Sequence, residues 1–432
     1  MTISTPPGVR RREVVGYCFY DFANSSFTTM ISTIAFSRYF RIAVVGPNSE
    51  NGDFLWSLAA ATSYLLVIVS GPVLGAIADG SGAKKKFLIG STVLTVLATA
   101  SLALAGPGDL WLAFGLFVIA SFGFESGYIF YNAFLPEIST RQNMNRISAW
   151  SWGTGFIGGL LSVVVCLPLL SGGLTSAASD GAGLSLVPDA VRGHRLSFLV
   201  VAAFFLVFSI PTFLFLKERS RVATKRWTGL VRTGFARVWQ TTLAVRQHRN
   251  IALFVMAATV FYGGIEAVIK FSAIFATVSF NITGQELQLL FIVANLVAVP
   301  STIGAGWLAD RVGSKRVLIG TLFVWLVIVF VGAVVQSKVG FWFLACGAAS
   351  GMGSTQAVAR SIMASISPAN RESEFFGFYI LATKVGAIVV ILLFGTIASG
   401  TGQQRLAVLG LLPLFLAGIL ILRRVQVPRE AS

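Results

Sequence analysis

The chain has 432 residues, of which 55% are hydrophobic and only 12% charged. So little polar surface excludes a large water-soluble globular enzyme. The formal charge of +16 does not point to nucleic acid, because the basic residues are spread over short loops between apolar runs rather than gathered on one face.

The N-terminal segment, MTISTPPGVRRR, is polar and basic. The run after it is too long for a signal-peptide core, carries Asp21 and lacks a small-residue cleavage site. It is expected to stay attached as a first membrane helix. A span needs about 20 apolar residues. On that measure, helices are predicted at 15–42, 54–78, 87–105, 110–135, 147–170 and 196–216. A second set is predicted at 251–279, 285–309, 317–336, 340–366, 374–399 and 404–423. The expected architecture is therefore all-α: twelve transmembrane helices in two pseudo-symmetric six-helix halves, residues 1–216 and 251–432, joined by a linker over 217–250.

Between the second and third helices runs Gly75-Ala-Ile-Ala-Asp79-Gly-Ser-Gly82-Ala-Lys84-Lys85-Lys86. It recurs 231 residues later, between the eighth and ninth, as Gly306-Trp-Leu-Ala-Asp310-Arg311-Val-Gly313-Ser-Lys315-Arg316. Pro136, ahead of Asn145-Arg146-Ile147-Ser148, and Pro368, ahead of Arg371 and Phe375-Phe376-Gly377, repeat at almost the same offset. A matched spacing at two separate loops marks an internal repeat, and membrane repeats point to a transporter with its site between the halves.

The loop 171–194 is rich in Gly, Ser and Ala and reads as a flexible outer connection. His194 and His248 fall in predicted loops, and Cys18, Cys166 and Cys346 show no paired spacing, so neither a metal site, a cofactor nor a disulfide is expected. The linker 217–250 holds nine basic residues against Glu218 alone. Its spacing of Trp227, Leu230, Val231, Phe235, Val238 and Trp239 reads as an amphipathic tether on the inner leaflet. With both termini inside, cytoplasmic segments hold 24 of the 33 Lys and Arg residues, which predicts a multi-pass cell (inner) membrane protein with cytoplasmic ends.

Two halves with G-x-x-x-D-R-x-G-x-K-R at these loops resemble the major facilitator superfamily. The second copy matches that motif fully, whereas the first has Gly80 in place of the Arg. The resemblance implies a gate latch built on Gly75, Asp79, Gly82, Gly306, Asp310, Arg311, Gly313, Lys315 and Arg316. A finer match lies in the first helix, where Tyr20-Asp21-Phe22-Ala23-Asn24-Ser25-Ser26-Phe27 resembles the opening of the vacuole effluxer-like branch, which includes fungal autophagy-related amino-acid exporters. Tyr131-Asn132-Ala133-Phe134-Leu135-Pro136, Gly351-Met-Gly-Ser-Thr-Gln356-Ala-Val-Ala-Arg360-Ser361 and Phe375-Phe376-Gly377-Phe378-Tyr379 are similar to it too.

Six ionisable residues fall inside predicted spans: Asp21, Glu125, Glu266, Lys270, Arg360 and Lys384. Unpaired at the bilayer centre, each would cost about 2.5–3.5 kcal/mol, so they are expected to face a watery interior as a substrate or proton path. Glu266 and Lys270, four apart, read equally as a self-satisfied pair. Asp21 reads as an inner-gate group with Asn24 and Ser25, and Glu125 as the proton or substrate group. Arg360 is expected to pair with Asp21 or Glu125. Tyr20, Tyr128, Tyr131 and Tyr262 are candidates to line the cavity, but with so much Phe and Trp in the chain lipid-facing packing is the default.

The absence of a G-x-x-x-x-G-K-[ST] loop disfavours ATP-driven transport. The reading is a monomeric secondary transporter of a small polar solute in the lipid bilayer, coupled to protons and exporting an amino acid or similar metabolite. The alternatives are a sugar or cation symporter of the same superfamily, and a sensor or lipid-handling protein without solute flux. An enzyme is not expected, since no His, Cys or paired-acid cluster is visible.

Overall fold

Lipid offers no partner to backbone amides, so apolar runs of this length close their hydrogen bonds internally as helices. The structure is a computed structural model that describes residues 8–49, 52–170, 174–177, 184–219, 248–282, 284–401 and 404–427. Helix α1 (Arg11–Ser26) continues through a π-helical stretch (Phe27–Ile34), a short α segment (Ala35–Tyr39) and a second π stretch (Phe40–Val44). There follow α2 (Gly52–Ser81), α3 (Lys84–Ser101), α4 (Leu110–Asn132), α5 (Met144–Cys166) and α6 (Pro188–Phe215). The second half holds α7 (Arg249–Phe280), α8 (Gly284–Val312), α9 (Ser314–Val334), α10 (Lys338–Ile366), α11 (Glu372–Thr401) and α12 (Leu412–Arg424), the last preceded by a short helix (Gln404–Leu409).

Among the described residues ten helices are long and apolar enough to cross a membrane. The two others run beside them: α1 is broken into α and π pieces, and α10 carries the small-residue run Gly347-Ala-Ala-Ser350-Gly351-Met-Gly353-Ser354.

The halves repeat one packing pattern. In the first, α1 lies on α5 and α6, and α3 on α4 and α6; in the second, α7 lies on α11 and α12, and α9 on α10 and α12. The staples at the end remote from the signature loops repeat as well. Arg195 of α6 donates to the Ala103 carbonyl at the end of α3 (2.6 Å), and Arg405 before α12 donates to Ala333 at the end of α9 (3.0 Å). The halves meet through α2 against α11 and α5 against α8.

Two expectations change. Part of the stretch 171–194 is ordered: Thr175–Ala177 and Leu184–Leu186 pair as a small antiparallel hairpin, and α6 begins at Pro188 rather than 196. His194 therefore lies inside a helix, buried, its Nδ1 2.8 Å from the Ala190 carbonyl. Pro at the first helical position and Asp189 in the first turn are the local reason α6 starts there. Most of the basic linker 217–250, including the amphipathic spacing read from it, lies outside the described residues.

Candidate functional site

At the signature-loop end, α2 and α11 approach so closely that a side chain on Gly75 would run into the backbone of Ser373 and Glu374. This places the Asp79 carboxylate over the N-terminus of α11. Its oxygens accept from the backbone N–H of Ser373 (3.2 Å) and Glu374 (2.9 Å), two groups that a helix start leaves open. Gly82 then turns the chain with φ +59°, a conformation that suits glycine.

Lys84 follows, almost wholly buried. Its ammonium reaches Glu372 of the other half (2.7 Å), Glu137 (3.1 Å) and Asp79 (3.4 Å). The segment after α6 is laced into the same network. Glu218 accepts from the backbone N–H of Lys84 (2.5 Å) and Lys85 (3.4 Å), while Arg219 pairs with buried Glu13 (2.8 Å) and donates its backbone N–H to Glu137 (3.1 Å). Burial pushes the Glu218 carboxyl above the ordinary glutamate range, and the two N–H bonds only partly offset it.

The second copy repeats the geometry more loosely. Gly306 lies against Ala149 and the Asn145 carbonyl of α5, and Gly313 turns with φ +98°. Arg146 Nε stands 3.5 Å from the Asp310 carboxylate, and neither Asp310 oxygen closes a hydrogen bond of good geometry. Arg311 stacks on the Trp307 ring (3.5 Å to the centroid). Lys315 caps the far end of α12 instead, donating to the carbonyls of Arg423 and Val425 (both 2.7 Å), and Arg316 bonds Val312 (3.2 Å).

Deeper along the seam, two ion pairs join the halves. Arg360 of α10 reaches Asp21 of α1 at 2.9 Å, with the two residues only 2% and 3% exposed. It also donates to the Ser148 hydroxyl (2.9 Å) and carbonyl (2.6 Å) of α5. Ser151 donates to the same Asp21 oxygen (2.6 Å) and meets the Tyr131 hydroxyl. The rings of Tyr17, Tyr131 and Trp152 stand 5.7–5.8 Å from the guanidinium, within reach of cation–π attraction. Nearby, Tyr262 of α7 accepts from Tyr379 of α11 (3.0 Å). Lys384 of α11 meets Glu125 of α4 at 2.5 Å and lies over the Tyr64 ring (4.4 Å). Glu266 of α7 is near enough to bear on Lys384 electrostatically.

Of the six membrane-embedded charges, the structure brings four together in pairs. Arg360 takes Asp21 rather than Glu125, and Glu125 finds its cation on α11. Glu266 and Lys270 form no ion pair with each other, and Lys270 sits apart on an exposed face. In the first-helix motif, Tyr20 bonds Thr92 (3.2 Å), Asn24 reaches back to Asp21 (3.5 Å), Ala23 is fully buried, and Ser25 faces Gly155 of α5. The tyrosines expected to face lipid pack inward instead: Tyr20 and Tyr131 are buried and stacked (4.6 Å), because each ring carries a hydroxyl that finds a polar partner only inside the bundle. Ser148, Ser151, Trp152, Tyr64, Glu137 and Glu372 were not anticipated. Glu137 follows Pro136 directly, and Ser148 and Glu372 lie in the first turns of the helices that come after the matched prolines Pro136 and Pro368, which was the one signal available.

With this geometry in view, comparison with known proteins is specific. The profile of the family described as "Vacuole effluxer Atg22 like" matches residues 54–432, starting just after α1. The MFS-type transporter YxiO of Bacillus subtilis is 30% identical over 420 residues, covering 96% of this chain and 95% of that protein. Autophagy-related protein 22-1 of Neosartorya fischeri is 23% identical over 298 residues, covering 62% of this chain and 47% of its own length, so the match spans about half of the fungal protein. The fold is that of the major facilitator transporter FucP of E. coli in its outward conformation, with a TM-score of 0.76 at 14% identity over 96% of this chain and 98% of that one.

Proposed function

The chain belongs to the vacuole effluxer Atg22-like family of the major facilitator superfamily, and on that premise we propose that it exports a small polar solute, an amino acid or similar metabolite, by proton-coupled alternating access. It is a multi-pass membrane protein and a secondary transporter, not an enzyme. Both termini and the signature loops face the cytoplasm, on the strength of the basic residues gathered there.

The observation that carries the reading is the pair of buried salt bridges spanning the two halves, Asp21–Arg360 and Glu125–Lys384. Breaking a buried pair is costly, so each holds the halves together until a ligand or a proton replaces one partner. Asp21 and Arg360 lie under the signature loops and act as the inner gate. Glu125 and Lys384, with side chains 10% and 18% exposed, form the more open pair and serve coupling. With the loops latched and Asp79 seated on α11, this conformation is the one closed to the cytoplasm.

Flux through proteoliposomes tests the reading, with radiolabelled amino acids as candidates. Glu125→Gln should abolish accumulation driven by a proton gradient while exchange of the same solute persists, because exchange needs no net proton movement. Full accumulation by this variant would refute coupling through Glu125. Background flux for every candidate in the wild type would favour a sensor instead.

A further inference from the structure

Basic residues are scarce at the end of the molecule remote from the signature loops, yet two arginines share one cavity there. The cavity, about 550 Å³, lies between the end of α3 (Ala103, Pro107), the second hairpin strand (Leu186) and the first turns of α6, where Arg192 and Arg195 line it. That volume falls in the range of ligand-binding clefts. Arg195 is fixed by its bond to Ala103 (2.6 Å), so its charge is held in place. Arg192 is exposed and has neither a hydrogen bond nor an ion pair among the described residues. The nearby Asp109 is turned back on the Gly106 N–H (2.8 Å). Below the arginines the lining continues as Leu196 and Leu199, 41% and 44% exposed. Positions 192, 195, 196 and 199 share one helix face, so a cationic top runs directly into an apolar strip.

We propose that this cavity is a binding site for an anionic phospholipid, its phosphate held by Arg192 and Arg195 and one acyl chain laid along Leu196 and Leu199. Charge complementarity selects the headgroup. The apolar strip selects a lipid over a free anion, because only a lipid covers both parts at once. The other half lacks the pair: Arg405 keeps the staple, but the position three before it is Gly402. The site thus belongs to the first half alone, and it stands independently of the transport reading.

The test uses the purified full chain in detergent, titrated with dioleoyl-phosphatidylglycerol, dioleoyl-phosphatidylcholine or free glycerol 3-phosphate. Melting temperature and native mass spectrometry report binding. Phosphatidylglycerol should stabilise at lower concentration than phosphatidylcholine, and glycerol 3-phosphate should not stabilise. Arg192→Gln, at an exposed position, should weaken phosphatidylglycerol binding about fivefold. Lys338→Gln, on the other half's outer face, should leave it unchanged. Equal effects of the two lipids, an unaffected Arg192→Gln, an equal loss in Lys338→Gln, or stabilisation by glycerol 3-phosphate alone would each overturn the proposal.

Discussion

The two signature loops share a glycine approach, a left-handed turn and an acid aimed at a helix start, yet they hold their partners differently. The copy that departs from the motif makes the fuller latch. Asp79 closes two backbone hydrogen bonds on α11 and shares Lys84 with Glu372 and Glu137, whereas Asp310 faces Asn145 and Arg146 at the start of α5, with Arg146 Nε at 3.5 Å, and closes no hydrogen bond of good geometry. Match to a motif measures shared ancestry; grip depends on what the partner helix offers. The α11 start supplies Glu372 and two open N–H groups, and Lys84 is short of solvent and rich in acids. In the second copy Lys315 is spent on the end of α12.

The sharpest way to break this contrast is Lys84→Met, which leaves three acids gathered without their cation. Loss of a partner from a buried network costs about 3–5 kcal/mol. The expected result is a latch that rarely closes, read as fast alkylation of a cysteine placed at buried Ala357 once the native cysteines are removed. Asp79→Ala comes next. It forfeits two charge-assisted bonds, together about 3 kcal/mol at the lower end of their range, while Lys84 keeps Glu372 and Glu137, so the same cysteine should again react faster and net flux should fall. Asp310→Ala should open the seam less than Asp79→Ala does, because no hydrogen bond of good geometry is lost with it. If Asp310→Ala opened the seam as far as Asp79→Ala does, the contrast would be false.

Glu218→Gln sharpens the picture through pH. Its folded carboxyl sits above its unfolded value of about 4.3, so the linked stability is complete below that pH and is lost as pH rises through the folded value. The amide keeps an acceptor for the Lys84 N–H but carries no charge to desolvate. The variant should therefore melt no lower than wild type near pH 7, and its melting temperature should fall less across that window. The smallest effect is expected from Gly80→Arg, which completes the first motif copy: melting temperature and flux should stay within error, because Lys84 already serves Asp79, Glu137 and Glu372.

Much of the fold was legible because lipid forces long apolar runs into helices, whatever their internal order. The start of α6 was misplaced because Gly, Ser and Ala upstream read as loop, although Pro188 and Asp189 carry a helix-start signal. The embedded charges were visible as a set, since each is costly alone. Their pairing was legible only as an alternative, Asp21 or Glu125 for Arg360, because it depends on helix neighbours far apart in sequence: Asp21 and Arg360 are separated by 339 positions. Nothing within four residues of Glu125 names Lys384 as its partner. The tyrosine cluster was hidden for the same reason, since aromatic residues at lipid and core positions look alike in one dimension.

The π stretches of α1 have a consequence for protein engineering. A π turn closes its hydrogen bonds one residue further along than an α turn does. Taking one residue out of Phe27–Ile34 would let the backbone close as α-helix while the flanking faces stay in phase, so Asp21 would still meet Arg360. The same deletion in a regular helix such as α9 turns every later side chain by about 100° and carries lipid-facing residues into the bundle. The first helix should therefore accept a change of length that its neighbours refuse, and a single-residue deletion scan scored by surface expression would show a tolerant window at 27–34 and at 40–44.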